Sequence, residues 1–534
     1  MNRPSLPTES AILECAKAHL DRQPVLILLF GLINGLLYAS LLPLWDGFDE
    51  PFHYGYVVSL SVDHQLPKIG RTTLSQEIQQ SLRSTPLSPA LSAAVRGASS
   101  FDEWLALPAA ERSARRTVLT ALSPGLRREK SDRPNYEAQQ APLAYVLLAP
   151  LDWLLSSEPL IPRILIIRLA LSACSTLLLA GASIVLFQAL GVEPEFRNIA
   201  LFLLFATQMT WAAIAHVGND WLAIPVAAAF LAALALLVKR GGKGPAIGLA
   251  IFLSAGLLTK AYFLAFIPVF LAALSRESIR KALRPATILL ALAIPSVAAG
   301  PWYVRNLMLY GSLSGTQESV AGVGVMRTLE AVPHINWVAD GVRLARSSLW
   351  TGNWSLVAFP RWPLNTELIL AGVALVLLGA NRRRLASAER WVLAACAVFL
   401  LAMAYQQAAM WAFSGGSSAG AESWYSQCVM PGFVSLVALG MQHGGWAGRL
   451  LARLLALVAA GISAVSYLGV LPPWYGGFRG HGTEELLKWW MDIHPTSALS
   501  SVALAPAAML HGLLILFLVS LFLATAVVVR RPAK

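Results

Sequence analysis

Charge is what this sequence has least of. Only 13% of its 534 residues are Asp, Glu, Lys or Arg, where an average soluble domain has about 25%. So few charges cannot cover a globular surface of this size, and an ordinary soluble fold is excluded. Cysteine is scarce too: Cys15, Cys174, Cys396 and Cys428 lie far apart, with no pair at metal-ligand spacing. That excludes a disulfide scaffold and a thiolate zinc site and leaves reduced, structural thiols. No small-residue cleavage site follows the first apolar run, which continues through Leu44 and reads as an uncleaved first span. No internal repeat is visible, and the apolar runs read as nearly free of charge. A secondary transporter, with paired repeats and ionisable groups at mid-membrane, fits this pattern poorly.

What the chain does have is apolar sequence: 56% of residues are hydrophobic and the mean hydropathy is +0.59. The runs approach the roughly 20 residues that a helical span needs. In lipid every backbone amide must be satisfied within the segment, so these runs become helices. The net charge of +12 does not indicate nucleic acid, because the basic residues fall in short loops between runs and read as topology signals. Arg3, Lys17 and Arg22 put the N-terminus in the cytoplasm. Arg382, Arg383, Arg384 and Arg390 are the strongest inside signal, and Arg530, Arg531 and Lys534 return the C-terminus to the same side. The stretch 246–274 must be a hairpin of two short helices with Lys260 at its apex, because basic loops flank it on both sides. Residues 142–155 must be a juxtamembrane or re-entrant helix for the scheme to close. The expectation is an all-α, polytopic inner-membrane protein with about 12 transmembrane helices.

Chemistry-bearing residues cluster at the expected outer ends of the spans. Trp45 to Tyr56 reads WDGFDEPFHYGY and packs Asp46, Asp49, Glu50 and His53 against the membrane surface. Carboxylates there cost free energy and mark function by default, and partial burial tunes them for base catalysis. RPNYEAQQAP (133–142) carries Tyr136 and Glu137 and leads to Tyr145; by itself it reads as a proline-started interfacial helix with an aromatic belt. In PWYVRN (301–306), Arg305 offers a bidentate fork for phosphate oxygens, although arginines at span ends also simply snorkel. Lys260 in GLLTKAYF could reach a phosphate. HVGND (216–220) reads as turn chemistry and capping. Residues 483–495 read as a surface amphipathic helix.

The order of these motifs resembles the GT-C superfamily of integral-membrane glycosyltransferases, which use polyprenyl-phosphate-linked sugars. The resemblance rests on Asp49-Glu50 with His53, on Pro142, Leu143 and Tyr145, on Leu258-Thr259-Lys260, and on Trp302, Tyr303, Arg305 and Asn306. SSLWTGNWS (347–355) is similar to a loop in an uncharacterised bacterial branch of that superfamily. The resemblance implies a cytoplasmic segment 1–23 and a GT-C-like catalytic module 24–365 with periplasmic loops 45–162 and 304–364. C-terminal helices then occupy 366–534, with a periplasmic loop at 472–497. It also implies that Asp49 and Glu50 are catalytic. Asp46, His53, Tyr136, Glu137, Tyr145, Lys260, Arg305 and Asn306 would bind substrate, with Arg305 and Lys260 on the donor phosphate. The expected activity is transfer of a sugar from a polyprenyl-phosphate donor to a glycan, lipid or protein acceptor on the periplasmic side. The alternatives are a lipid-linked sugar transporter or flippase, and an O-antigen ligase or polymerase. Some members use a divalent cation and others do not, and no spacing in this sequence decides between them.

Overall fold

The computed structural model describes residues 22–416, 422–480, 482–492, 499 and 501–530. In chain order, α1 (Arg22–Leu41) leads to α2 (Glu50–Ser61). A loop-rich segment follows, and then α3 (Leu143–Leu154), α4 (Leu160–Ala189), α5 (Pro194–Ala206) and α6 (Asp220–Arg240). Next, α7 (Lys243–Leu257) and α8 (Ile267–Ser275) flank Lys260, while α9 (Pro285–Ala298) and α10 (Gly300–Tyr310) run on as one apolar unit. The chain continues with α11 (Arg361–Ala380), α12 (Ser387–Ser414), α13 (Met430–His443), α14 (Gly445–Val465) and α15 (Ala507–Val529). The chain is all-α and polytopic, as the apolar runs require.

Among the described residues, eight helical units are long and apolar enough to cross a membrane. The expected twelve included 199–216 and the run ending near 441. There the structure has α5, which stops at Ala206 and is followed after Thr207 by a separate helix Gln208–Ile214, and α13, of 14 residues. At 1.5 Å per residue α5 and α13 are each about 20 Å long, short of a hydrocarbon core of about 30 Å. Length and composition alone thus mark eight candidate spans among the described residues. The helix Leu143–Leu154, of 12 residues, is likewise too short to span, in keeping with its reading as a juxtamembrane element. Helix Thr483–Asp492 forms within the expected amphipathic stretch, whose end lies outside the described residues.

Burial separates core helices from lipid-facing ones. In α6, 78% of the apolar window is buried inside the protein, against 22% in α11 and 28% in α15. Helix α6 packs along α4, α7 and α12. A helix that is apolar all round belongs in a core or in lipid, so α11 and α15 turn their outward faces to lipid.

Two small sheets order the loop-rich segment. Strand β1 (Thr73–Ser75) pairs antiparallel with β4 (Lys130–Pro134), while β2 (Pro86–Leu87) and β3 (Ser99–Ser100) pair in parallel. Gly55 on α2 admits the first pair, because a Cβ there would lie 2.5 Å from Leu74. Strand β4 runs directly into Asn135, whose side-chain amide donates to the Phe52 carbonyl at 3.0 Å and whose side-chain oxygen accepts from the Glu137 amide at 3.0 Å. These bonds set Tyr136 and Glu137 over the start of α2.

The spans are less free of charge than the sequence reading expects. Helix α4 carries Arg163 and Arg168, both fully buried. Arg163 pairs with Glu77 in the loop-rich segment, and Arg127 pairs with Asp152 beside it. Arg168 grips both oxygens of Glu50 and also donates to the Leu42 and Pro43 carbonyls. Removing one partner of a buried pair typically costs about 3–5 kcal/mol, because the other charge is left uncompensated. Arg168→Leu should therefore lower the melting temperature of the detergent-purified protein sharply, and adding Glu50→Leu to it should recover part of the loss. A single variant that melts like the wild type would show that the pair does not hold the fold.

Candidate active site

The loop between α1 and α2 is held in a strained shape. Trp45 and Asp49 have φ of 66° and 54°, and in the facing loop Asn353 and Leu356 have φ of 55° and 50°. These are four of the five non-glycine residues with positive φ among the described residues. Such backbone costs of order 1–3 kcal/mol per residue and collects at functional sites. Asp46 joins the two loops: Ser355 donates to it at 2.6 Å, Tyr475 donates to its other oxygen, and its carbonyl accepts from the Trp354 amide at 3.1 Å. Burial pushes its carboxyl up to about 7, against the pull of the Ser355 and Tyr475 hydrogen bonds.

Asp49 stands one residue before α2, with Pro51 in the first turn of that helix. It is partly exposed, and the Tyr136 hydroxyl donates to it. One turn on, His53 Nδ1 lies 2.7 Å from the Tyr145 hydroxyl and 3.8 Å from Glu137. Burial raises Asp49, and the Tyr136 hydrogen bond and Lys260 draw it back. Burial and then the nearby Asp49 raise Glu137. Burial, then Lys260 and His216, lower His53 and keep its imidazole neutral. The result is a carboxylate pair that holds protons unusually well beside a neutral imidazole, which suits proton transfer near neutral pH.

Lys260 sits at the turn after α7. Its ammonium lies 2.7 Å from both oxygens of Asp220 and over the rings of Tyr262 and Tyr425, at 4.9 and 5.2 Å. Tyr262 also donates to Asp220 at 2.6 Å. The start of α3 docks on this turn, with the Leu143 amide on the Leu258 carbonyl at 2.8 Å. A cavity of about 680 Å³ opens here. Its lining includes Asp49, Tyr136, Glu137 and Lys260 and the apolar side chains of Leu264, Phe399, Met403 and Met410.

The structure thus brings together Asp49, His53, Tyr136, Glu137, Tyr145 and Lys260. Four expected site residues stand elsewhere. Glu50 is fully buried on Arg168 and on the Val217 amide at 3.0 Å, out of reach of a substrate. Asp46 is fully buried on Ser355 and Tyr475. Arg305 does not line the cavity: it donates to the Pro67 carbonyl at 2.9 Å and lies over the Trp302 ring at 4.6 Å, and Asn306 is buried against Gly315. Sequence reasoning missed Asp220, Tyr262, Tyr425, Glu318 and Glu422. Asp220 had a visible signal, an acid in the HVGND turn, but read as a cap; its pairing with Lys260 spans 40 residues.

Asp49, His53 and Glu137 each offer one ligand atom, all within 4.8 Å of one another. One oxygen of Glu137 is buried without a hydrogen-bond partner. Two carboxylate oxygens and a neutral imidazole fit a divalent cation, which would offset the acidic lining and act there as an electrostatic stabiliser. Mn²⁺ binding to the purified protein should weaken in both Glu137→Gln and His53→Ala by at least the roughly tenfold typical of losing even an outer-shell partner. Unchanged affinity in both variants would put the ion elsewhere.

No family model matches this chain, and no curated protein does. Two solved structures are similar to it. One is ArnT from Cupriavidus metallidurans bound to undecaprenyl phosphate, at 12% identity over 95% of this chain and 78% of that one, with a TM-score of 0.47. The other is the same protein in the apo state, at 13% identity over 90% and 77%, with a TM-score of 0.40.

Proposed function

We propose that this chain is a membrane glycosyltransferase of GT-C type, moving a sugar from a polyprenyl-phosphate carrier to an acceptor hydroxyl on the periplasmic face. The observation that carries this reading is one cavity whose lining combines the Asp49 carboxylate and the Lys260 ammonium with the apolar side chains of Leu264, Phe399, Met403 and Met410. A polyprenyl-phosphate sugar has the same polarity: an isoprenoid chain, a phosphate and a sugar.

In this reading Asp49 is the base. It takes the proton of the acceptor hydroxyl, whose oxygen bonds to the anomeric carbon as that carbon's bond to the carrier phosphate oxygen breaks. Both electrons of the broken bond stay on the phosphate, and Lys260 meets its growing negative charge. Tyr136 donates to Asp49 and sets its orientation. Glu50 is a positioning residue that fixes the loop through Arg168. The catalytic module is then 24–365, and the acceptor class stays open between glycan, lipid and protein.

Asp49→Asn should lower turnover by about 10²- to 10⁴-fold, the usual worth of a general base, while polyprenyl-phosphate binding stays intact. Near-normal turnover would remove Asp49 as the base.

Lys260 contributes through charge, so Lys260→Ala should weaken polyprenyl-phosphate binding by about tenfold to a hundredfold, the range for one charge-assisted contact. That variant also strands Asp220. The double variant Lys260→Ala/Asp220→Asn separates the causes: donor affinity that stays low without the stray carboxylate supports a direct phosphate contact. Full recovery would mean that Lys260 only neutralises Asp220.

A further inference from the structure

A second cavity, of about 880 Å³, lies in the loop-rich segment and shares Tyr136 with the first. Three guanidiniums line it, Arg83, Arg96 and Arg133, against one carboxylate, Asp132. Arg83 and Arg96 are exposed and have no acidic partner among the described residues. Arg133 is anchored by the Ala94 carbonyl at 2.6 Å. The side-chain oxygen of Gln79, also in the lining, is buried without a hydrogen-bond partner. The aromatic part of the lining is Phe52, Tyr136 and Trp354.

We infer that this cavity, with Arg83, Arg96, Gln79 and Trp354, binds an anionic saccharide, and that it is the acceptor site of the transferase. The second clause rests on the function proposed above. The chemistry of the lining selects the ligand class. Guanidinium forks match phosphate or carboxylate oxygens bidentately. The orphan amide oxygen of Gln79 needs a donor, which a sugar hydroxyl supplies. The apolar face of a pyranose stacks on an aromatic ring, and Trp354 offers one that is only half-buried. The volume lies in the range of small-molecule sites, about 300–1,000 Å³, which suits one to a few sugar units. Tyr136 lines both cavities, its hydroxyl holds Asp49 and its ring lies 4.0 Å from Phe52. An acceptor hydroxyl arriving from the arginine side therefore meets the base at Tyr136.

The test is a titration of the full chain in nanodiscs of zwitterionic lipid with glucose 6-phosphate, against glucose and inorganic phosphate. Wild type should bind glucose 6-phosphate at least tenfold more tightly than either comparator. Arg83→Ala/Arg96→Ala should lose at least tenfold of that affinity while keeping its polyprenyl-phosphate affinity and melting temperature, since both arginines are exposed. Lys260→Ala should show the reverse pattern. Equal affinity for inorganic phosphate and glucose 6-phosphate would overturn the saccharide assignment, and undiminished affinity in the double variant would overturn the site. Loss of both ligands in the double variant would overturn it too, by merging the two cavities into one site. A wild type that binds glucose 6-phosphate through the arginines but no polyprenyl phosphate would sink the transferase reading and the acceptor role, and leave the anionic-saccharide site standing.

Discussion

Arg168 and Glu50 form the contact on which the site's geometry depends. Arg168 belongs to α4, and its guanidinium reaches the carbonyls of Leu42 and Pro43 and the Glu50 carboxylate together. Glu50 in turn accepts from the Val217 amide, just ahead of α6. One buried side chain thus ties the end of α1, the start of α2 and the approach to α6. The Asp49 backbone, in its positive-φ conformation, is clamped between Pro43 and α2 and cannot relax without breaking a buried ion pair. A buried pair adds little net stability over well-packed apolar residues of the same volume. What it does supply here is a fixed position for the next residue in the chain.

The second constraint is charge balance. The first cavity is lined by Asp49, Glu137, Glu318 and Glu422, with Lys260 as its cation, and Lys260 is already engaged by Asp220. Carboxylates gathered in a partly desolvated site resist ionisation together: burial and then Asp220 raise Asp49, and burial and then Asp49 raise Glu137. If the site takes a phosphate, as the proposed function has it, that phosphate needs compensation beyond one ammonium, and a proton on the carboxylate pair or a divalent cation on Asp49, His53 and Glu137 would supply it.

The sequence carried the local features well. Apolar runs predict α1, α4, α6, α11, α12 and α15, because a span must satisfy its own backbone. The hairpin around Lys260 followed from basic loops on both sides. The acidic cluster pointed to Asp49 and His53, since carboxylates at a span end are costly. What stayed hidden depends on long-range pairing. Nothing in DGFDEP distinguishes Asp49, open to the cavity, from Glu50, buried on a partner 118 residues away. Asp46 looks like a ligand in the sequence and proves to be a strut to a loop 309 residues away. Arg305 lacks an acidic neighbour in sequence, but a backbone carbonyl and a Trp ring occupy it.

The site also lies where the helices break. The chain leaves regular helix between α5 and α6 around Thr207 and His216–Asn219, between α7 and α8 at Leu258–Phe266, and after α10 at Gly311–Thr316. At membrane depth, non-helical backbone is tolerated only where protein covers it or where it lines a cavity. These breaks meet both conditions: the 207–219 segment is buried, and Lys260, Ala261, Tyr262, Leu264 and Ala265, with Ser314 and Thr316–Ser319, supply cavity wall. The same logic explains why α5 and α13 are too short to span. They pack against each other inside the bundle, where the neighbouring breaks in the backbone are covered by protein and not by lipid. In such a fold an interruption of an apolar run is a positional signal in its own right, because the free energy of unpaired backbone confines interruptions to places where protein covers them or where they line a cavity.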